Sequence, residues 1–164
     1  MLGWAARMPE IPRVGLGFDV HAREEGRPMW LGGLRFEGVD GLAGHSDGDA
    51  VCHALADALF GAASLGDVGE HFPDTEPAVA GIPGSELLGR SAALVRQAGF
   101  EVASCDVTVI CENPPVAPRR DEMRSALAAA LGIDAGAISV KATRPEGLWL
   151  AGDGAGCLAV AVLT

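Results

Sequence analysis

Residues 46–62, SDGDAVCHALADALFGA, form the clearest helical pattern in the chain. Apolar side chains recur along this stretch at helical spacing, at Val51, Leu55, Ala58, Leu59 and Ala62. Ser46 is followed three residues later by Asp49, a spacing that resembles a capping box. The pattern therefore predicts a helix that begins near Ser46.

The residues before this helix predict strands. Residues 13–21, RVGLGFDVH, are rich in β-branched and aromatic side chains, with glycines at positions 15 and 17. Two short apolar segments, 29–31 and 34–36, flank Gly32 and Gly33 and predict a hairpin. A loop is expected to connect the hairpin to the helix.

The rest of the chain predicts two more helices and three more strands. The helices are expected at 85–98 and 119–131, and the strands at 102–111, 138–143 and 157–163. This order predicts an α+β fold, a mixed β-sheet covered on one face by about three helices. The other face would stay apolar and uncovered, so we expect a symmetric oligomer that buries it.

Length and composition favour one folded domain. The chain has 164 residues, of which 49% are hydrophobic and 21% charged. A chain of this length and composition can bury an apolar core, so the class of intrinsically disordered proteins is excluded. We expect a flexible leader at 1–12 and a single domain at 13–164. No stretch approaches the ~18 apolar residues of a membrane span, and no signal peptide is evident, so we expect a cytoplasmic protein.

The charge narrows the class of partner. A formal net charge of −10 makes nucleic acid and anionic membrane unfavourable partners. An anionic small-molecule substrate would need local cations, and a bound metal is one way to supply them. The four cysteines form no C-x-x-C pair, and we interpret them as buried small hydrophobic residues.

Asp19, His21 and His53 are the candidate metal ligands. Asp19 and His21 are two apart on a strand, so their side chains point to the same face. One Asp and two His make a zinc set with a fourth position open to substrate. Asp49 and Asp57 lie one turn either side of His53 and could orient an imidazole. An Asp-x-His pair also occurs by chance and often forms a surface hydrogen bond, so that alternative stays open.

Four sequence blocks, in this order, carry a resemblance. They are GFDVH at 17–21, HSDGD at 45–49, HALADAL at 53–59 and LGDVGEHFPDTEP at 65–77. The chain resembles the 2-C-methyl-D-erythritol 2,4-cyclodiphosphate synthase family of the non-mevalonate isoprenoid pathway. The resemblance runs from about Arg13 to the C-terminus.

The resemblance implies an enzyme, a phosphorus–oxygen lyase. It would convert 4-diphosphocytidyl-2-C-methyl-D-erythritol 2-phosphate to the 2,4-cyclodiphosphate and CMP by metal-dependent intramolecular phosphoryl transfer. The family is a homotrimer with its sheets facing the threefold axis and its active sites between subunits. It would hold zinc on Asp19, His21 and His53, and a second ion, magnesium or manganese, on Glu146.

The resemblance also implies roles for other residues. Three would be catalytic, namely His45, Arg144 and Glu146. The residues expected to contact the diphosphate, the ribose and the methylerythritol are Ser46, Asp67, Val68, Gly69, Phe72, Pro73, Asp74, Thr75 and Glu76. Those expected to line the nucleotide pocket are Cys111, Pro114, Pro115, Val116, Ala117, Ala142 and Thr143.

The chain departs from the family at positions that handle phosphate. Arg144 replaces a Thr, Asp153 an Arg and Pro115 a Lys, and Trp149 and Leu150 are bulkier than the usual pair. Two alternatives therefore accompany the synthase: a paralogue acting on a different CDP-linked substrate, and a non-catalytic trimer that binds a nucleotide or isoprenoid diphosphate.

Overall fold

The computed structural model describes residues 11–73, 75–77, 79–147 and 153–164. Most of the predicted leader, together with Asp74, Trp149 and Leu150, lies outside the described residues. The elements are β1 (Arg13–Leu31), β2 (Leu34–Leu42), α1 (Ala50–Ala63), α2 (Val68–His71), α3 (Gly84–Gln97), β3 (Val102–Cys111), α4 (Arg120–Leu131), β4 (Ile138–Thr143) and β5 (Gly154–Leu163). Short 3-10 turns at Ala117–Arg119 and Ala135–Ala137 precede α4 and β4.

The five strands form one mixed sheet in the order β2-β1-β5-β3-β4. The pair β3 and β4 is parallel, and the other neighbours are antiparallel. The predicted α+β class is thereby confirmed. Gly32 and Gly33 have φ values of 60° and 75°, the conformation that a two-residue hairpin turn requires, so the predicted β1–β2 hairpin is also confirmed.

Three strands are longer than predicted. β1 continues past His21 to Leu31, β2 continues to Leu42, and β5 begins at Gly154. The extra segments contain glycine and charged residues without apolar alternation, and they are strands because their backbones pair, as Arg23 does with Leu42. The four-residue helix α2 lies between the first two predicted helices, in a stretch for which the sequence analysis predicts no helix or strand.

Helix α1 packs directly against strand β1 because two strand residues have no side chain. A Cβ at Gly15 would overlap the carbonyl oxygen of Ala58, and one at Gly17 would overlap that of Ala54. The helix backbone therefore lies against the strand backbone. This close approach brings His53, on α1, toward Asp19 and His21, which lie on the same face of β1 as the two glycines.

The N-terminus of α1 differs from the prediction. The helix begins at Ala50 and its N-cap is Asp49, whose carboxylate accepts hydrogen bonds from the amides of Val51 and Cys52. The predicted start near Ser46 is wrong, because the Ser46 hydroxyl instead accepts from the amide of Gly48, at 3.1 Å. An Asp at the N-cap satisfies amides that the first helical turn leaves unpaired.

Asp49 also joins α1 to the hairpin. Its two carboxylate oxygens accept from the amides of Gly32 and Gly33, each at 2.7 Å. The residue is fully buried. One carboxylate therefore fixes the hairpin turn relative to the helix that carries His53.

Among the described residues, nothing covers the opposite face of the sheet, as predicted. Its apolar side chains alternate with the glycines and ligands of β1 and are 42–68% exposed; they are Val14, Leu16, Phe18, Val20 and Leu158.

Within the described ranges, no helix is long and apolar enough to cross a membrane. The four cysteines are buried and unpaired, and burial raises the pKa of Cys105 to about 12.

Candidate metal centre and nucleotide pocket

Asp19, His21 and His53 converge at one point. Asp19 Oδ2 lies 2.8 Å from His21 Nε2 and 3.2 Å from His53 Nδ1, and the two ring nitrogens are 3.2 Å apart. The three side chains are 14–25% exposed, so a small ion could reach them from solvent. All three candidate ligand atoms lie within 4.8 Å of one another.

Hydrogen bonds behind the cluster orient both imidazoles. His53 Nε2 lies 3.0 Å from Ser46 Oγ, and donation of its proton there leaves the Nδ1 lone pair facing Asp19 and His21. His21 forms a hydrogen bond with the Ala43 backbone. These contacts are of the kind that fix the tautomer of a metal-binding histidine.

The charges in the cluster favour a cation. Burial alone would raise the pKa of Asp19, but hydrogen bonds to His21 and His53 hold it below its ordinary value. The hydrogen bond to Asp19 raises the pKa of His21 above 6.5. One carboxylate oxygen and two imidazole nitrogens, turned toward one point, fit a divalent ion of the zinc type.

A cavity of about 210 Å³ opens beside these three residues. Its other walls come from the loop before α1, from α1, from α2, from the segment between α2 and α3, and from α3. The residues are Gly44, His45, Ser46, Asp57, Val68, Gly69, Phe72, Val79 and Leu87. His45 and four of the predicted substrate contacts are therefore beside the metal cluster. Sequence reasoning did not identify Val79 and Leu87, whose apolar side chains carry no distinguishing pattern.

The acids predicted to orient imidazoles have other contacts. Asp57 lines the cavity and accepts from the amide of Val68 at 2.9 Å, which fixes the start of α2. Burial raises the pKa of Asp57 above its ordinary value, and the hydrogen bond from the Val68 amide offsets only part of this rise. Asp49 bonds backbone amides and the Cys52 thiol, so it places the helix that carries His53.

The remaining substrate residues lie around the rim. Asp67 caps α2 by accepting from the amide of Glu70 at 3.0 Å. Pro73 is half-buried, and Thr75 and Glu76 are exposed. None of these four lines the metal cavity, and the predicted role of Asp74 falls on a residue outside the described ranges.

A second cavity, of about 220 Å³, gathers all seven residues predicted to line the nucleotide pocket. Glu112 and Arg144 complete its walls. The carboxyl ends of the parallel strands β3 and β4 lead directly into it, which is where ligands bind in parallel sheets. Arg23, which sequence reasoning did not identify, supports the loop by donating to the carbonyl of Asn113 at 2.9 Å.

Two of the predicted catalytic residues lie away from the metal cluster. Arg144 is exposed and lines the second cavity. Glu146 is exposed, has a φ of 51°, and lines neither cavity. The two cavities share no lining residue among those that the structure describes, and neither Glu146 nor Arg144 lines the cavity that holds Asp19.

The inverted charge at Asp153 has a local partner. Its side chain is 96% exposed and lies 3.5 Å from Arg23 Nε. The Arg23 amide also donates to the Asp153 carbonyl, at 2.9 Å. The negative charge at this position is therefore balanced by a cation on the neighbouring strand.

The structure defines the class as an α+β protein with a candidate metal site on the helix-covered face of a mixed sheet. A separate cavity lies at the ends of two parallel strands. Comparison with known proteins narrows the class. Residues 12–164 match the YgbB family, and the chain belongs to that family, which confirms the predicted resemblance.

Named relatives agree. The chain is 49% identical over 150 residues to the 2-C-methyl-D-erythritol 2,4-cyclodiphosphate synthase of Laribacter hongkongensis, covering 92% of this chain and 93% of that protein. It is 48% identical over 157 residues to the bifunctional enzyme IspD/IspF of Novosphingobium aromaticivorans, covering 96% of this chain and 41% of that protein. The chain thus spans about two fifths of the length of such bifunctional relatives.

A solved structure shares the fold. The CDP-bound form of 2C-methyl-D-erythritol-2,4-cyclodiphosphate synthase superposes with a TM-score of 0.85 at 34% identity. The match covers 93% of this chain and all of that one.

Proposed function

We propose that this chain is a cyclodiphosphate synthase, which closes 2-C-methyl-D-erythritol 2,4-cyclodiphosphate and releases CMP from 4-diphosphocytidyl-2-C-methyl-D-erythritol 2-phosphate. The observation that carries the proposal is the convergence of Asp19, His21 and His53 within 4.8 Å in a chain of this family. The name of the Laribacter relative supports the same reaction, and the alternatives are not favoured by any relative described above.

The reaction needs little covalent chemistry from the protein. An oxygen of the 2-phosphate attacks the β-phosphorus of the same molecule, and that new P–O bond closes the ring. The bond from the β-phosphorus to the bridging oxygen breaks, and CMP leaves with that oxygen and its electron pair. No water is consumed. The protein must fold the substrate back and offset its charge, so no Ser or Cys nucleophile is required.

The cavity residues suit that task. A divalent ion bound by Asp19, His21 and His53 would supply positive charge to a phosphate. Ser46 orients His53, and His45 lies at the opening beside it. Val68, Gly69 and Phe72 line the cavity, and the methylerythritol part would pack against them.

We further propose that the nucleotide binds the second cavity and that copies of the chain complete each active site in a homotrimer. Support comes from the separation of the two cavities, because a CDP-linked substrate must reach both. The uncovered apolar side chains of β1 and β5 favour burial against other copies.

In this arrangement Glu146 holds a second ion, magnesium or manganese, at the junction between chains. The bound metals, the trimer and the cytoplasmic location stay predictions. Light scattering tests the assembly directly: a trimer has a mass of about 50 kDa, three times 16.7 kDa. A monomer at working concentration would remove the shared active site.

Phosphorus NMR tests the activity. The purified chain is incubated with the substrate, zinc and magnesium, and equal amounts of CMP and the cyclic diphosphate are expected. Turnover of another CDP compound alone would support the paralogue, and binding without release would support the non-catalytic trimer.

A further inference from the structure

Arg27 is an arginine of β1 whose guanidinium holds the loop beside the metal cluster. It lies where the pairing of β1 with β2 is irregular, between Glu24 and Pro28. Its side chain is 26% exposed. Nη1 donates to the carbonyl of Gly44 at 2.8 Å, and Nη2 donates to the carbonyl of Ser46 at 2.5 Å.

The loop that Arg27 holds touches both imidazoles. A Cβ at Gly44 would lie 3.4 Å from His21 Cε1, so the backbone there packs against that ring. Two residues on, Ser46 Oγ lies 3.0 Å from His53 Nε2. Gly44, His45 and Ser46 all line the metal cavity, and Arg27 bonds the first and the last of them.

The direction of these bonds suits an anionic ligand. Arg27 does not line the metal cavity; it lines a separate depression, together with Arg35 and Asp40. The carbonyl oxygens of Gly44 and Ser46 therefore accept hydrogen bonds from a cation that lies outside the cavity. Their partial negative charge would otherwise oppose a bound phosphate.

A guanidinium is suited to this role and an ammonium is not. Its planar fork presents N–H groups in a fixed geometry that can hold two carbonyls two residues apart. The nearby Glu24, 3.2 Å from Nη1 and 50% exposed, offsets the charge without competing for Nη2.

We propose that Arg27 is a positioning residue that sets the geometry of residues 44–46 against the metal ligands and the substrate phosphates. The phosphate part of this inference rests on the proposed function. The part that concerns His21 and His53 does not, so the two can be tested separately.

The test compares Arg27→Gln and Arg27→Lys with Arg35→Gln. Arg35 is a matched control, because it lines the same depression and pairs with Glu37 at 3.0 Å, as Arg27 pairs with Glu24. Zinc alone is first titrated into the metal-free protein to measure its affinity. The kcat and KM for CMP release are then measured separately. Thermal unfolding of the metal-free proteins identifies any variant that has simply lost its fold.

Both Arg27 variants are expected to bind zinc about 10-fold more weakly and to lose about 10- to 100-fold in kcat/KM, as is usual when support behind a metal ligand is removed. Arg35→Gln should match the unmodified chain in both measurements. Added guanidinium ion should partly restore Arg27→Ala and leave Arg35→Ala unchanged.

Wild-type zinc affinity in both Arg27 variants would overturn the inference, and so would full activity in Arg27→Lys, which would mean that charge alone suffices. If the unmodified chain releases no CMP, the proposed function fails, and the zinc titration alone decides the role of Arg27.

Discussion

The cavity beside Asp19, His21 and His53 and the cavity proposed to bind the nucleotide are similar in volume, about 210 and 220 Å³. They are built differently. In the first, polar side chains from a strand, a loop and a helix are each held by a hydrogen bond, as His53 is by Ser46. In the second, most of the walls are small or apolar residues from the ends of β3 and β4 and from the loop that follows β3, together with the charged Glu112 and Arg144. Ala142, Thr143 and Arg144 are exposed.

The difference indicates which parts of the reaction each cavity can support. In the proposed function, one chain supplies all three candidate ligands of the metal, Asp19, His21 and His53. The cavity proposed for the nucleotide would supply shape, and a neighbouring copy would complete it. Substitutions in the first should change chemistry strongly, and substitutions in the second should change affinity modestly.

The largest expected effect is at His53. His53→Ala should fold, bind CMP within about 2-fold of the unmodified chain, and lose metal, because one of three ligands is removed. Loss of several kcal/mol of charge stabilisation predicts a fall in turnover of about 10³-fold or more, measured by phosphorus NMR.

His71→Ala is the control for this prediction. Its ring stacks on Phe60 and bonds the Leu65 carbonyl, so it should affect stability and leave metal content unchanged. Stoichiometric zinc and full turnover in His53→Ala would reject the metal assignment.

Asp49→Ala should affect stability most. The change removes the cap of α1 and leaves the buried amide of Gly32 and the half-buried amide of Gly33 without acceptors. The cost is about 1 kcal/mol for the cap, about 1–3 for the Gly32 amide and about 1 for the Gly33 amide. We expect the free energy of unfolding, measured in urea, to fall by about 3–5 kcal/mol.

Asp134→Ala is the matched control, since that exposed carboxylate accepts only a local amide, from Gly136, among the hydrogen bonds described. It should cost under about 1 kcal/mol. A similar small loss in Asp49→Ala would mean that the hairpin and α1 are held together by packing alone.

Ser46→Ala should weaken metal binding by about 10- to 100-fold while leaving the fold intact, because His53 loses the acceptor for its Nε2 proton. Zinc titration measures the change. Ser91→Ala removes another buried hydroxyl, one that bonds the Leu87 carbonyl within α3, and should leave the affinity as it is. Equal affinities in the two variants would show that the tautomer of His53 is set by other groups.

The smallest expected effect is in the nucleotide cavity. Arg144→Thr restores the residue usual in the family, and it removes an exposed cation whose contribution is limited by solvent. CMP affinity should fall by about 2- to 5-fold at low salt, and the difference should vanish at high salt. Arg120→Thr, an exposed arginine on α4, should show no such salt dependence.

Short-range sequence patterns predict the elements whose residue types match their secondary structure. β3 and β4 were predicted to the residue, because their β-branched runs end in turn-forming residues. The shared face of Asp19 and His21 followed from strand periodicity, and His53 from its place on a clear helix.

Contacts between distant segments were not predictable from sequence. The bonds from Asp49 to Gly32 and Gly33 cross 16 or 17 residues, and no spacing rule marks them. The orientation of His53 by Ser46 depends on the loop doubling back over the helix start. The helix α2 has only four residues, too few for periodicity to appear.

The bare glycines of β1 have a consequence for how the metal cluster responds to change. Because strand and helix meet through main-chain atoms at Gly15 and Gly17, the distance between the backbones that carry Asp19 and His53 is set by polypeptide dimensions. Hydrogen bonds such as that between Ser46 and His53 then orient the side chains. The site is therefore preorganised: a metal entering it finds its ligands already spaced, and little ordering entropy remains to oppose binding.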